Sequence, residues 1–191
     1  MTPRVTTLVN YGAYQAGWFA AVLGAASGHE NAGVAVAAAL IALHLWLARE
    51  RGRELGLLAL ATVVGLVVEA WQLHAGTYRL LSGVVPAHVP PVWLLALWAQ
   101  FATTFRYSGR AVLARPAAAM LFGALGGPVA FLAGERLGAV VLTTPLWPGL
   151  VRLAVGWTAA LALFSWIARR ASDRAEPTYR TPWRARPAGR G

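Results

Sequence analysis

The sequence lacks cysteine and lysine and contains a single aspartate. Without cysteine there is no disulfide framework, no thiolate nucleophile and no thiolate ligand for a metal. The single aspartate, Asp173, lies near the C-terminus, which argues against the membrane enzymes that use paired aspartates to hold a metal and a diphosphate. Because lysine is absent, all 17 basic residues are arginine.

Charge is scarce as well. Only 13% of the 191 residues are charged, whereas 58% are hydrophobic, and soluble domains carry about 25% charged residues. The apolar residues form blocks of about 16 to 20 residues, and about 20 helical residues span the roughly 30 Å hydrocarbon core of a bilayer. This pattern predicts an all-α, polytopic transmembrane helical bundle, multi-pass in a bacterial cell (inner) membrane, with the lipid bilayer as its main partner.

The apolar blocks predict about six membrane spans. They cover approximately residues 7–26, 31–48, 55–73, 91–105, 116–133 and 149–168. Residues 137–144 are apolar but too short to cross, which predicts an interfacial or re-entrant segment. We therefore expect a six-helix transmembrane domain over residues 1–168 and a disordered basic cytoplasmic tail over residues 169–191, where seven arginines and three prolines occur.

The arginines predict the orientation, because cytoplasmic loops hold the excess of basic residues. With six spans, 14 arginines fall on the side of both termini and three on the other, which predicts N-in/C-in topology. The same placement accounts for the net charge of +10, so no nucleic acid partner is expected. The basic tail instead predicts binding to anionic lipids.

Small residues predict where helices approach one another closely. They recur at every fourth position in two blocks, as Ala13, Gly17, Ala21 and Ala25, and as Ala119, Gly123 and Gly127. Such faces also allow a helix-mediated homo- or hetero-oligomer. Pro128 frees a backbone carbonyl in the fifth block and predicts a kink there.

No motif specifies a reaction. HExxH, GxSxG, the phosphate-binding P-loop and GxGxxG are absent. Of the four histidines, three are scattered over loops and His44 has no histidine partner at its depth. We therefore predict no catalytic residue, no metal and no cofactor.

The polar residues inside the predicted spans are the candidate ligand-binding residues. Glu69 is the one acidic residue there, and such a residue usually faces the bundle interior and a partner. The main hypothesis is a buried ion pair with Arg152, which lies in the same half of the bilayer. A ligand head group, a bound proton or simple snorkelling towards the interface are the alternatives. Asn10, Gln15 and Gln100 are expected to form interhelical hydrogen bonds or to contact a ligand.

Several of these residues carry a resemblance to a known family. They are Asn10, Tyr14, Gln15, Trp18, Pro91, Trp93, Leu97, Trp98, Phe101, Ala102, Thr104, Gly123, Gly127, Pro128, Gly134, Leu137, Gly138 and Ala139. With this pattern, about residues 8 to 168 resemble the bacterial membrane-protein family named domain of unknown function 2878. The resemblance implies the membrane location and the helical fold, and no activity.

Three functions stay open. The scarcity of catalytic groups favours a non-catalytic membrane or envelope component rather than an enzyme. A small transporter or channel, and a lipid-acting membrane enzyme that uses Glu69 with His74 or His88, are the alternatives. A water-filled cavity at Glu69 would favour transport, whereas a lipid-sized groove with two converging polar groups would favour an enzyme.

Overall fold

The computed structural model describes residues 1–81, 89–143, 145–170 and 179–180. Within these ranges the chain is almost entirely helical. The elements are α1 (Pro3–Ala26), α2 (Glu30–Leu47), α3 (Arg51–His74), β1 (Tyr78–Leu80), α4 (Val92–Ala102), α5 (Arg110–Leu113), α6 (Pro116–Arg136), β2 (Val140–Leu142) and α7 (Leu146–Arg170).

Local sequence signals set the ends of several helices. Thr2 caps α1, its hydroxyl accepting a hydrogen bond from the backbone N–H of Val5 at 3.4 Å, and Pro3 occupies the first turn. Proline likewise begins α6. Gly28 follows α1 with a φ of 73°, a backbone conformation that glycine adopts without strain.

The long helices run alternately between two ends of the bundle. At one end, Asn10 of α1 bonds to Thr103 just after α4, and Glu54 of α3 pairs with Arg106. We call this the Arg106 end. At the other, Arg152 of α7 bonds to Thr77 just after α3. We call this the Tyr78 end, after the strand residue that follows.

Four helices, α2, α3, α6 and α7, are long and apolar enough to cross a membrane. α1 has the necessary length of 24 residues but carries polar side chains along its first half. α4 has only 11 residues, about 16 Å of helix, which is short of the roughly 30 Å hydrocarbon core. The expected helical membrane bundle is therefore confirmed, with four rather than six helices meeting the criteria for a span.

Polar residues lie inside the bundle and large apolar residues lie on its surface. Asn10, Glu54, Glu69, Gln72 and Gln100 are at most 1% exposed. The exposed apolar side chains include Leu8, Val63, Val67, Leu125, Val129 and Trp147. Because lipid solvates Leu and Val and leaves polar groups to find partners within the protein, this distribution is typical of a bundle in a bilayer.

A small two-stranded sheet closes the Tyr78 end. β1 and β2 pair antiparallel with Tyr78 opposite Leu142 and Leu80 opposite Val140. Within the segment predicted to be interfacial or re-entrant, residues 137–144, the chain forms a turn followed by β2, and the position of this segment relative to the membrane stays a prediction. Glu135 at the end of α6 holds the strand by accepting a hydrogen bond from the N–H of Leu142 at 2.8 Å.

The predicted small-residue faces are contact faces. A side chain on Gly33 of α2 would meet the backbone of Ala20 and Ala21 in α1, and one on Gly123 of α6 would meet the backbone of Trp157 in α7. Glycine thus lets both helix pairs approach backbone to backbone. α6 continues as a helix through Pro128 to Arg136, so this proline does not break it.

The tail prediction is corrected at four residues. Arg169 and Arg170 belong to α7, and Tyr179 is 2% exposed, packed against Leu47 and Tyr107. The N–H of Arg180 donates to the carbonyl of Leu47 at 2.9 Å. Residues 171–178 and 181–191 lie outside the described residues, and disorder there stays a prediction.

Candidate functional site

A cavity of about 100 Å³ lies within the bundle beside Glu69. This is much larger than one water molecule needs. Its lining is mainly aromatic and aliphatic, and Glu69 is its one charged side chain. The lining residues are Tyr14, Trp18, Val22, Glu69, Trp93, Leu94, Leu97, Trp98, Phe101, Phe122, Gly126, Ala130, Phe131, Gly134, Ala139, Val140 and Trp157.

Helices α1 and α6 flank this cavity. α1 packs on α2 and α4, whereas α6 packs on α7, so the two flanking helices belong to different halves of the bundle. Five of the lining residues belong to α4, and Trp157 of α7 also lines the cavity. Phe122 lines the cavity and is 49% exposed, so the cavity reaches the lipid-facing surface beside α6.

Two stacked tryptophans form the floor of the cavity. The rings of Trp98 and Trp157 lie 4.5 Å apart between centroids with an interplanar angle of 24°. Each lies against a glycine, Trp98 over Gly65 of α3 and Trp157 over Gly127 of α6, where even a methyl group would overlap the indole. The two glycines therefore allow the indole rings to lie directly against the backbones of α3 and α6.

Glu69 is held by two hydrogen-bond donors. The hydroxyl of Tyr78 donates to its Oε2 at 2.6 Å, and Nε1 of Trp98 donates to its Oε1 at 2.9 Å. The carboxyl group is 0% exposed. The predicted burial of Glu69 in the bundle is thus confirmed.

The predicted ion pair between Glu69 and Arg152 is wrong. Both carboxylate oxygens are taken by Tyr78 and Trp98, and Nε of Arg152 donates instead to the hydroxyl of Thr77 at 2.9 Å. Gln72 fixes the same region, since its Nε2 donates to the carbonyl of Arg152 at 3.0 Å. Arg152 therefore ties α7 to the loop after α3.

Two indole N–H groups of the cavity have no hydrogen-bond partner among the described residues. They belong to Trp93 and Trp157, and both nitrogens are buried. A buried donor without an acceptor costs about 1–3 kcal/mol. Since both tryptophans line the cavity, a ligand with an acceptor oxygen could satisfy these donors.

A second cavity of about 140 Å³ adjoins the first. Tyr14, Phe101 and Phe122 line both cavities, and the second continues along α1 towards Ser108 at the Arg106 end. Tyr11 lines it and is 53% exposed. Together the two cavities form an elongated space between α1 and α6, which we call the aromatic groove.

The other predicted site residues do not gather at Glu69. Asn10 lies at the Arg106 end, and Nε2 of Gln15 donates to Tyr11 on the same helix at 3.1 Å. Gln100 forms the predicted interhelical bond, its Nε2 donating to the carbonyl of Ala13 at 3.1 Å. Of the five residues, only Glu69 lines the cavity.

A second polar cluster lies at the Arg106 end. Glu54 is 1% exposed; its Oε1 accepts from Nη1 of Arg106 at 2.9 Å and its Oε2 lies 3.2 Å from Nε2 of His44. Arg106 also pairs with Glu50 at 2.8 Å. A buried carboxylate here thus has a basic partner, unlike Glu69.

Tyr179 completes this cluster from the tail. Its hydroxyl accepts from Nδ2 of Asn10 at 3.0 Å and lies 2.8 Å from Nδ1 of His44. Burial raises the pKa of Tyr179 to about 12, so the hydroxyl keeps its proton near neutral pH and can donate it to His44. Asn10 is fully bonded as well, since its Oδ1 accepts from the N–H and the hydroxyl of Ser108.

Sequence reasoning missed most of both clusters. Trp93 is 2% exposed and lines the cavity, but it was not among the candidate ligand-binding residues. Glu54 lies just outside the predicted span 55–73 and was not a candidate either, although it is buried in the first turn of α3. The sequence signal for the groove was the number of tryptophans. There are nine, which is more than two belts of tryptophan at the membrane interfaces require. Nothing in the tail distinguished Tyr179.

The described residues contain no group of three histidine, aspartate or glutamate side chains that could hold a metal ion. His29 and His74 are exposed, and His88 lies outside the described residues. No cofactor-binding arrangement was predicted, and the groove itself offers one carboxylate only.

Comparison with known protein families identifies one match. A family model described as "Protein of unknown function (DUF2878)" matches residues 7–163. The chain belongs to this family. The match covers all of the groove and the Arg106 end except Tyr179. No curated protein and no solved structure matches the chain.

Proposed function

We propose that this family member is a membrane protein that binds a lipid-soluble ligand in the aromatic groove. The observation that carries the proposal is the cavity beside Glu69, where an apolar lining surrounds one carboxylate and two unpaired indole donors. Ligand sites generally combine an apolar, preformed pocket with a few polar groups that fix the orientation of the ligand. Here the carboxylate and the indoles are those groups, and the long axis of the groove holds the apolar body.

The groove favours binding over catalysis. Glu69 is hydrogen-bonded to Tyr78 and Trp98. Neither of these side chains is a basic group that could act together with Glu69 in catalysis, and no nucleophile lines the cavity beside Glu69. His74, the suggested partner for lipid chemistry, is exposed at the end of α3. A non-catalytic membrane or envelope component that carries or senses an amphiphile is therefore our main proposal.

Transport is the second candidate function. The groove extends from Glu69 towards the Arg106 end through the second cavity, which would give a ligand a lateral path along α1. The lining is apolar rather than polar, so this path suits an amphiphile that slides from the bilayer and does not suit a hydrated ion.

We further propose six membrane crossings in a bacterial cell (inner) membrane, with the Arg106 end in the cytoplasm. Support comes from the alternating direction of the six longer helices and from the arginines at this end, including Arg49, Arg51, Arg53, Arg106, Arg110 and Arg115. The tail arginines would add attraction to anionic lipids on the same side, about 1 kcal/mol each near the surface. A helix-mediated homo- or hetero-oligomer is a further proposal, although most of the small residues that predicted it are buried against other helices of this chain.

Photo-crosslinking tests whether the groove is occupied. The protein is reconstituted in vesicles that contain a trace of a fatty alcohol with a diazirine in mid-chain, irradiated, and mapped by mass spectrometry. We expect crosslinks concentrated on Tyr14 and Phe122, well above those on the lipid-facing Val63 and Val67 of α3. Equal labelling of both pairs would contradict the proposal, because a surface that merely faces lipid labels without preference.

A groove-filling variant gives the matched control. A Cβ on Gly126 would meet the Phe122 ring at an ordinary 3.6 Å, so Gly126→Leu places its side chain in the groove without forcing α6 from its neighbours. We expect it to lower the labelling of Tyr14 and Phe122 several-fold. Gly56→Leu should leave labelling unchanged, since Gly56 is exposed with nothing within 4 Å of its Cβ position.

A further inference from the structure

Glu69 differs from the other fully buried carboxylate in its lack of a basic partner. Glu54 has Arg106 and His44. The ion pairs of the described residues involve Glu50 and Glu54 and do not include Glu69. A buried charge that lacks its partner is strongly destabilising because it is uncompensated, and among the described residues no basic side chain pairs with Glu69.

The hydrogen bonds at Glu69 favour a carboxylate rather than a carboxylic acid. Nε1 of Trp98 can only donate, so Oε1 is an acceptor. The hydroxyl of Tyr78 has no other hydrogen-bond acceptor among the described residues, so it donates to Oε2. Both oxygens therefore accept hydrogen bonds, as the oxygens of an ionised carboxylate do.

Aromatic side chains line the same cavity as Glu69. Trp98 and Trp157 present stacked indoles, and Tyr78 packs on Phe131 with ring centroids 4.7 Å apart. Tyr14 and Phe101 add a further tilted pair at 5.8 Å. A desolvated cation is attracted to the faces of such rings, and aromatic cages are a common means of recognising quaternary ammonium groups.

We propose that the ligand of the aromatic groove is a cationic amphiphile, whose protonated or quaternary amine lies against Glu69 within the ring of aromatic side chains. This inference rests on the proposed function, since it names the ligand class of the same site. The amine supplies the counter-charge that the described part of the chain does not provide. The apolar body continues between α1 and α6, and an oxygen near the amine can accept from Trp93 and Trp157.

Competition against the photoreactive alcohol tests this assignment. The probe is dodecyltrimethylammonium, and its comparison is the uncharged isostere in which carbon replaces the quaternary nitrogen. Both are titrated against groove labelling in nanodiscs of zwitterionic lipid, so that surface charge does not concentrate the cation. We expect the cation to displace the alcohol at about tenfold lower concentration than the isostere.

Variants separate the carboxylate from the groove. Glu69→Gln should abolish the preference for the cation while the isostere still displaces the alcohol, which shows that the groove remains folded. Glu30→Gln is the control, because Glu30 does not line the cavity and this variant should keep the preference.

Tetramethylammonium shows whether the cationic group belongs to a small free cation or to an amphiphile. Displacement of the alcohol by tetramethylammonium indicates a small free cation, and displacement by the dodecyl compound alone indicates a lipid-like amphiphile. Both results support a cationic head.

Two results would overturn the inference in different ways. Equal displacement by the cation and the isostere, or a preference that survives Glu69→Gln, would refute the cationic head while leaving ligand binding in the groove intact. Failure of both compounds to displace the alcohol, with Tyr14 and Phe122 labelled no more than Val63 and Val67, would refute the proposed function together with the inference.

Discussion

The hydroxyl of Tyr179 connects the tail to two helices through single hydrogen bonds. It accepts from Asn10 of α1 and contacts Nδ1 of His44 in α2. If the hydroxyl donates to Nδ1, the ring proton of His44 lies on Nε2, where Glu54 accepts it at 3.2 Å. One side chain thereby determines the tautomer of a buried histidine.

Tyr179→Phe should loosen the tail. The change leaves Nδ1 of His44 buried without a partner, which costs about 1–3 kcal/mol. We expect trypsin to cleave the tail arginines several-fold faster, with the helical bundle still folded in detergent. Tyr11→Phe is the control, because Tyr11 is 53% exposed and its loss should change the cleavage rate little. Unchanged cleavage in Tyr179→Phe would show that packing alone holds the ring.

The pH dependence of tail docking follows from the raised pKa of Tyr179. Its ordinary pKa is 10.0 and burial raises it to about 12, so the neutral hydroxyl favours the docked state. This contribution is fully present below pH 10 and is lost as the pH rises through about 12. Trypsin protection should therefore stay constant across the neutral range, and a loss of protection near pH 7 would contradict the assignment of tail docking to the neutral Tyr179 hydroxyl.

The sequence predicted which polar residues are buried better than it predicted their hydrogen-bond partners. Burial of Glu69 follows from the cost of a carboxylate in lipid, and it is observed. The choice of partner depends on which side chain arrives at the same depth, and Tyr78 arrives from a short strand that the sequence does not signal. Arg152 lies at the same end of the bundle as Glu69, but its Nε donates to the hydroxyl of Thr77 and not to the carboxylate.

At the scale of elements, the apolar blocks predicted the helices well. The long helices α1, α2, α3, α6 and α7 agree with the predicted blocks because each is apolar over most of its length. The strands were missed, since β1 and β2 have three residues each and show no usable alternation. α4 is shorter than the block that predicted it, because the chain leaves the α-helix at Thr103.

The contact between α6 and α7 gives a prediction for one glycine. A Cβ on Gly123 would lie 2.6 Å from the backbone oxygen of Trp157, and backbone cannot move aside as a side chain can. Gly123→Ala should therefore push the helices apart and lower the free energy of unfolding by about 1–3 kcal/mol. Denaturant titration of the protein in detergent micelles, followed by circular dichroism, measures this.

Gly126→Ala is the matched control on the same helix. Its Cβ would meet only the Phe122 ring, at 3.6 Å, and alanine is favoured over glycine in a helix by about 1 kcal/mol. This variant should be as stable as the wild type or slightly more stable. Equal stability of the two variants would mean that α6 and α7 do not form a close backbone contact in the membrane.

At the scale of the whole molecule, the bundle has an asymmetric distribution of charge. The Arg106 end gathers Glu50, Glu54 and Arg106 with the arginines of the joints, and the tail returns to it through Tyr179. The Tyr78 end is closed by the two-stranded sheet and carries few arginines. Because the start of α1, Tyr179 and most arginines of the described residues lie at the Arg106 end, we expect six crossings with this end facing the cytoplasm.

Single-cysteine labelling tests this orientation directly, because the chain has no cysteine of its own and needs no background substitution. Gly52→Cys and Ala114→Cys lie at exposed positions of the Arg106 end, and Ser27→Cys and Arg79→Cys lie at exposed positions of the Tyr78 end. In intact bacterial cells a membrane-impermeant maleimide should label the second pair only, and lysis should expose the first pair. Labelling of Gly52→Cys in intact cells would show that the orientation is the reverse of the one proposed. Opposite results for Ser27→Cys and Arg79→Cys would exclude six crossings, because both sites must lie on the same side when α2 and α3 each cross once.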